Sequence, residues 1–319
     1  MPLAYDYWGK GTVTRWQFHL KFWIDFLKDR CGQRFVQYDQ IPTFSPSELE
    51  RLDYYFKRNL VRDLSHCSKA SFSYSLLKRS AYSYDFWRMA HRVSDSAQLP
   101  FRFGDIREVP GGLAFVKSRP IKEGNQNSIL LPLNTVRHFD FIADKHHFTG
   151  KLNRAVWRGA CYKPWRQRFV ARYFDSDLVD AADTAPKKTD VRYRGRRMSR
   201  SEQLRYKFII SIEGNDVASN LKWAMLSNSV VVMAVPKFET WFCEGRLIPG
   251  EHFICVDDDY ENVEQVVSNY ITKPEECARI IRNANMYASQ FLDLDRQFKL
   301  GREVVRRYVE LIKGGVIES

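Results

Sequence analysis

Closely spaced cysteine pairs are missing from this sequence: Cys31, Cys67, Cys161, Cys243, Cys255 and Cys277 are scattered and never form a C-x-x-C. Zinc-ribbon and thioredoxin-type motifs are thereby excluded, and free thiols in a reducing compartment are the expected state. No apolar run approaches the ~20 residues that cross a bilayer, and Asp6, Lys10, Arg15, Lys21 and Asp25 interrupt the aromatic start of the chain. Neither a signal peptide nor a membrane anchor is expected, so the expected location is the cytoplasm, or the inner face of the membrane as a peripheral protein. Internal repeats and low-complexity tracts are absent too, which removes solenoids and long disordered linkers. Acidic residues are in the minority, 38 against 50 lysines and arginines, and the resulting +12 favours partners that carry phosphate: nucleotide, nucleic acid or an anionic lipid surface.

What is present suits a globular protein. Hydrophobic residues at 44% and aromatics at 14% are enough to fill a core, and 319 residues exceed what one core usually serves, so two lobes are expected. Trp16, Leu20, Trp23 and Leu27 recur at helical spacing, with Phe18, Phe22 and Phe26 widening the apolar face. This reads as a buried first helix, the alternative being a helix lying on a membrane. Further helices are predicted after Ser45 and over Tyr82 to Arg92, and strands over Pro100 to Asp105 and Leu113 to Ser118.

From Arg154 onward strands and helices alternate. Ala155 to Trp157, a helix near Gln167 to Tyr173, a basic loop, Tyr206 to Ile212, a helix ending near Asn228, Ser229 to Val235 and His252 to Val256 follow in turn. Three helical stretches close the chain, the last from about Arg296 to Lys313. Such alternation is what a parallel sheet with covering helices requires, which makes the fold class α/β.

In such sheets ligands sit beyond the carboxyl ends of the strands, where loops feed helix N-termini that attract phosphate. Trp157-Arg-Gly-Ala160 and Glu213-Gly-Asn-Asp216 occupy that position in the sequence. Each turn offers a glycine that would admit a ligand to the backbone, and Arg158 offers a guanidinium suited to phosphate.

These turns occur with further matches in a fixed order. Tyr206 to Trp223, followed by Ser227-Asn-Ser-Val-Val-Val232, resembles the central stretch of family-90 glycosyltransferases, the group that includes protein O-glucosyltransferases and capsule-associated xylosyltransferases. Trp157-Arg-Gly is similar to that family's [FW]-R-G turn, with Arg166 matching the arginine behind it, and Trp241, Leu247 to Pro249, His252 and Asp257 to Asp259 resemble a later block. Upstream, Arg102 to Pro110 is similar to the D-x-x-x-V-P block, with Asp105 at the catalytic carboxylate. The resemblance spans about residues 100 to 310.

It implies a GT-B enzyme, two Rossmann-like lobes with the nucleotide-sugar cleft between them and a terminal helix crossing back. The corresponding domains are residues 1–150 on the acceptor side, 151–295 binding the nucleotide sugar, and 296–319 as that helix. The implied reaction is inverting transfer from a UDP-sugar (glucose, galactose or xylose) to a glycan or glycolipid hydroxyl in lipopolysaccharide or capsule assembly. Asp105 would be the base, with no cofactor and no metal. Donor contacts would come from Trp157, Arg158, Gly159, Arg166, Glu213, Gly214, Asn215, Asp216, Ser219, Asn220 and Lys222. The chain departs from the family pattern at Asn220, where many members carry arginine, at Ala218, where they carry serine, and at Asn127 or Ser128, where an aspartate is usual. Diphosphate contact then falls partly to Ser219, Asn215 or Lys222.

Other clusters read more plainly. Asp175-Ser-Asp177 has the D-x-D spacing of metal-dependent GT-A transferases but suits a polar turn, and His146-His147 lacks companions at zinc spacing. Lys187 to Arg200 is a basic loop, either a solvated turn or a gate over the diphosphate or a contact to an anionic glycolipid, with a capping box at Ser199 and Glu202. Peripheral contact with an anionic membrane is therefore an expected partnership. The competing function is a non-catalytic basic protein for RNA or an anionic surface; no RNA-binding motif is present, and no nucleic-acid partner is expected.

Overall fold

The computed structural model describes residues 42–61, 80–91, 93, 99–187 and 189–315. These fall into two units, one taking in the described residues up to Asp140 together with Asp293 onward, the other running from Phe141 to Leu292. The expected first helix with Trp16, Leu20, Trp23 and Leu27 lies outside the described residues, as do Cys31 and Cys67.

In the first unit α1 (Pro46–Tyr55) begins at a complete capping box. The Ser45 hydroxyl accepts from the Glu48 N–H at 3.3 Å, the Glu48 carboxylate accepts from the Ser45 N–H at 2.8 Å, and Pro46 opens the helix. Next comes α2 (Ala81–Ala90), capped by Ser80, which buries Phe86, Trp87 and Met89. The short strands β1 (Phe101–Arg102), β2 (Ala114–Val116), β3 (Ser118–Pro120) and β4 (Ser128–Leu130) follow, and β1, β2 and β4 form a parallel sheet in that order. The four-residue α3 (Thr135–His138) is held at its start by Asp85, whose buried carboxylate accepts from the Thr135 N–H at 2.8 Å. Burial pushes the Asp85 carboxyl up to about 7.

The second unit runs β5 (Leu152–Gly159), α4 (Pro164–Tyr173), β6 (Val179–Asp183), α5 (Arg200–Gln203), β7 (Tyr206–Ile210), α6 (Leu221–Met225), β8 (Val230–Met233), β9 (Phe238–Thr240), β10 (Ile254–Cys255), α7 (Val263–Ile271) and α8 (Pro274–Ser289). Five of its strands form one all-parallel sheet in the order β10-β8-β7-β5-β6. Strand β6 is a strand that the sequence pattern does not reveal; its run Val-Asp-Ala-Ala-Asp has one β-branched residue and two acids, and it pairs only because β5 offers a free edge.

Alternate residues Ala155 and Trp157, Val179 and Ala181, Phe208 and Ile210, and Val230 and Val232 face one core, with Phe169 and Tyr173 of α4, Val263 of α7 and Ile280 of α8. Their neighbours Val156, Ile209 and Val231 are buried as well, so both sheet faces are covered, as an all-parallel sheet requires.

The last helix, α9 (Leu294–Gly315), belongs to the first unit and presents Phe298, Val304, Val305 and Tyr308 to its core. The Tyr308 ring meets Phe115 edge-on at 5.0 Å, Arg51 donates to the Gln297 side-chain oxygen at 2.7 Å, and Arg296 grips Glu48 at 2.6 Å. That grip holds the Glu48 carboxyl down at about 2. Glycine at position 301 lets α9 lie close to its neighbours: a Cβ there would fall 2.2 Å from the Met89 sulfur, which would have to move, and 3.1 Å from Pro132 Cδ.

The amino-terminal side of the parallel sheet is fastened by a buried charge. Lys151 Nζ donates to Asp144 Oδ2 at 2.6 Å, to the Leu204 carbonyl at 2.6 Å and to Ser229 Oγ at 2.7 Å, joining the approaches to β5, β7 and β8. Desolvation lowers the Lys151 pKa despite this partner. We expect Lys151→Met to cost about 3–5 kcal/mol in urea unfolding, because the buried Asp144 carboxyl loses its cation. Adding Asp144→Asn should recover a large part of the loss; a double variant no more stable than the single one would refute the assignment.

Candidate functional site

By order of appearance the parallel strands lie 2-1-3-4-5, so the chain leaves β5 toward β6 on one side and resumes with β7 on the other. In doubly wound sheets the crevice at such a reversal, beyond the carboxyl ends of the two strands, is where ligands bind. Here it is flanked by the loop from Gly159 to Lys163 and the loop from Ser211 to Asn220. Both of the glycine turns singled out in the sequence belong to these two loops.

Arg166, on the first turn of α4, ties the loops together. Its guanidinium donates to the carbonyls of Ile212 at 2.6 Å, Glu213 at 3.2 Å and Ala160 at 3.4 Å, and it lies over the Trp157 ring, 5.6 Å from the centroid. Trp165 donates from its indole to the same Glu213 carbonyl at 3.0 Å. These bonds account for the two glycines. A Cβ on Gly214 would stand 3.2 Å from the Arg166 guanidinium, and one on Gly159 would stand 2.6 Å from the Trp157 ring. The space at both glycines is taken by the protein's own side chains.

Glu213 is the most perturbed acid of the site. Its Oε1 accepts from the N–H groups of Lys237 at 3.0 Å and Phe238 at 3.2 Å, which brings the loop after β8 to the crevice. Burial nevertheless dominates and pushes the carboxyl up to about 7. Asn215 is exposed, Ser219 and Asn220 are half-buried, and Asp216 is buried with its carbonyl accepting from the Gly214 N–H at 3.0 Å. Asn220 donates to the Ile210 carbonyl at 2.9 Å and so closes the end of β7.

Two expected contacts point elsewhere. Arg158 alternates with the core residue Trp157 and turns back along the sheet, pairing with Asp180 Oδ1 at 2.6 Å and donating to the Asp180 carbonyl at 2.7 Å and the Arg196 carbonyl at 3.3 Å. Lys222 is wholly buried, and its ammonium is committed to Glu244 at 2.8 Å. Asp105 lies in the first unit, in the loop after β1 entered through Gly104 at φ +108°, and Lys117 Nζ donates to its Oδ1 at 2.5 Å. Asp175, Asp177, His146 and His147 are exposed. Among the described residues no three His, Cys, Asp or Glu side chains gather closely enough to hold a metal ion. No helix among them is long and apolar enough to cross a membrane.

Asp183 has no local signal in the sequence. At the end of β6 its Oδ1 accepts from the Cys161 N–H at 3.0 Å and the Ala185 N–H at 2.7 Å, fixing the first loop of the crevice to the neighbouring strand. Burial, with Asp183 beside it, pushes the Cys161 thiol up to about 12, which leaves that group inert. For Trp165 and Arg166 a signal does exist: Pro164 at the first helical position marks where α4 begins.

A Rossmann-like parallel sheet whose reversal point is lined by these turns frames the site, and comparison with known proteins names the class of enzyme. Residues 134–317 match glycosyl transferase family 90, and the chain is 36% identical over 236 residues to the O-glucosyltransferase LpsA of Dichelobacter nodosus, covering 74% of each protein. The chain belongs to glycosyltransferase family 90 and is a glycosyltransferase.

The raised Glu213 carboxyl has a consequence for stability. A carboxyl whose value rises on folding takes up a proton between its unfolded and folded values, so its contribution is full below about 4.5 and is lost as pH rises through about 7. Relative to Glu213→Gln, the parent should lose up to about 3 kcal/mol between those limits. Asp85 titrates in both proteins and cancels. Parallel urea curves at pH 4.5 and 7.5 check this; an unchanging difference would mean that Glu213 is ionised throughout.

Proposed function

We propose that this glycosyltransferase moves a sugar from a UDP-sugar to a hydroxyl of a glycan or glycolipid acceptor, by inversion and without a metal ion. The observation that carries the reading is the coincidence of the β5–β7 reversal point with the two family-90 turns, since the same residues answer to fold and to family. The relative's name, an O-glucosyltransferase, brings glucose forward among the candidate sugars glucose, galactose and xylose. The GT-B architecture draws support from a parallel sheet in each unit. Lipopolysaccharide or capsule assembly in the cytoplasm is the setting that agrees with the family resemblance and with the free thiols of Cys161, Cys243, Cys255 and Cys277.

In this reading the donor lies across the two loops. Asn215 and Ser219 offer hydrogen bonds, Glu213 accepts from the nucleoside, and Gly159, Gly214 and Asp216 shape the loops that Arg166 and Trp157 hold. Asn220 fixes the end of β7, and Lys222 steadies α6 from within the core. Arg158 reaches a diphosphate only by giving up Asp180, an exchange of one anion for another. At the acceptor, the Asp105 carboxylate takes the hydroxyl proton while the oxygen attacks the anomeric carbon and UDP departs from the opposite face. Lys117 orients that carboxylate.

Thermal shift against UDP, GDP, CMP and ADP sugars tests the donor class, since a ligand that binds only the folded state raises its stability; no shift with any UDP compound would remove the donor assignment. For the base, Asp105→Asn should fold, bind UDP as the parent does and lose turnover by about 10²–10⁴-fold. Chelation should leave the parent active. Near-normal turnover in Asp105→Asn, or activity abolished by EDTA with Asp175 or Asp177 as the sensitive carboxylate, would overturn the mechanism.

A further inference from the structure

Half of the net charge of the chain sits in one loop. Between Lys187 and Arg200 there are seven lysines and arginines and a single acid, Asp190, a balance of +6 within a total of +12. The transfer chemistry proposed above uses none of these side chains.

The loop is pinned from Asp190 onward. Asp190 caps the 3₁₀ turn Val191–Tyr193, the Tyr193 ring packs edge-on against Phe174 at 5.7 Å, and the Gly195 N–H donates to the Asp183 carbonyl at 3.0 Å. Gly195 sits so close to β6 that a Cβ would meet the Ala182 methyl at 2.5 Å. Arg158 holds the Arg196 carbonyl, and the Ser199–Glu202 capping box closes the far end. With the backbone fastened, the side chains are presented from a fixed frame at the β6 edge of the sheet, and little ordering remains to oppose binding.

The arginines point to solvent. Arg192 and Arg196 have side chains 74% and 68% exposed and pair with Asp190 and Glu202. Arg194 and Arg197 are exposed and pair with no carboxylate among the described residues. Beside them Val191 is 67% exposed, an apolar residue with nothing over it. RNA is the other polyanion that such a charge would attract, and single-stranded RNA is held by stacking its bases on aromatic rings. The one aromatic ring of this loop, Tyr193, is packed inward against Phe174. Cationic side chains around an exposed apolar residue, without a stacking platform, match a membrane surface.

We infer that the Val191–Arg197 loop docks this protein, reversibly and by charge, on a membrane surface of anionic phospholipid. The attraction acts within about a Debye length and weakens as salt is added. The docked face adjoins the Asp183 end of β6, one strand from the nucleotide crevice.

The test is co-sedimentation of the intact protein with vesicles of phosphatidylcholine containing phosphatidylglycerol, with pure phosphatidylcholine vesicles alongside. Parent protein should pellet with the anionic vesicles at physiological salt and leave them at ~0.5 M salt, where the Debye length falls to a few Å. Arg194→Glu with Arg197→Glu should lower the vesicle partition coefficient at least tenfold with a nearly unchanged thermal midpoint, since among the described residues the Arg197 side chain makes no hydrogen bond that fastens the loop and Arg194 makes only a long one, to the Thr189 carbonyl at 3.4 Å. The charge-matched variant Lys273→Glu with Arg282→Glu, both exposed and at α8, should stay within about twofold of the parent. Equal losses in the two variants would reduce the effect to net charge and overturn the assignment. So would equal binding to neutral vesicles, no binding to anionic ones, or loop-dependent binding of an RNA oligomer tighter than that of the vesicles.

Discussion

Pairing of β5 along both of its edges is the constraint on which the second unit depends. One edge carries β6, in register from Ala155 opposite Val179 to Gly159 opposite Asp183, and the other carries β7, with a register shift between Leu152 and Ala155. Because the chain must cross the sheet once in each direction to supply both partners, the loops after β5 and β7 separate over opposite faces and leave a crevice between them. The core follows from the same pairing, since Trp157 of β5 packs where helix α4 returns to cover it, and Phe169 meets its ring at 5.6 Å.

The crevice is built from side chains that bind backbone, and that makes it rigid before any ligand arrives. Arg166 and Trp165 hold the Glu213 turn from below, Asn220 holds the end of β7, Asp183 holds the first loop, and Glu213 collects the loop after β8. Each bond satisfies a backbone group that would otherwise be stranded at a strand end, where the sheet ladder stops. Preorganised loops of this sort can aim N–H groups at a charged ligand without moving during the reaction. A carboxyl kept half-buried among them, as Glu213 is, remains sensitive to what binds beside it.

The treatment of charge divides the molecule. Inside, cations are matched: Lys151 with Asp144, Lys222 with Glu244, and the buried Arg119 with the carbonyls of Tyr54 and Ser128. An unmatched charge there would cost several kcal/mol. The surplus that makes the chain basic is therefore pushed to the surface, and much of it collects in the one loop beyond β6.

How much of this could be read from residues alone depends on the range of the interaction. Caps at Ser45 with Glu48 and at Ser199 with Glu202, the apolar strands around Phe208 and Val231, and the helical face of Val304, Val305 and Tyr308 are all legible, because they arise between residues a few positions apart. The order of the family turns is legible for the same reason and was enough to reach the family. Strand β6 was not, since its acids and alanines have no strand pattern and become a strand only at the edge of β5. Without β6 the reversal point could not be located, nor the anchoring role of Asp183. Local chemistry singles out Arg158 and the family resemblance adds Lys222 as diphosphate contacts, whereas in the fold the two pair with Asp180 and Glu244, distant in sequence. Residue types and short spacings thus determined which elements form and which family they belong to. Strand order, the direction of each charged side chain and the burial that lifts Glu213 were decided by the tertiary structure, because each depends on groups that only folding brings within a few ångströms.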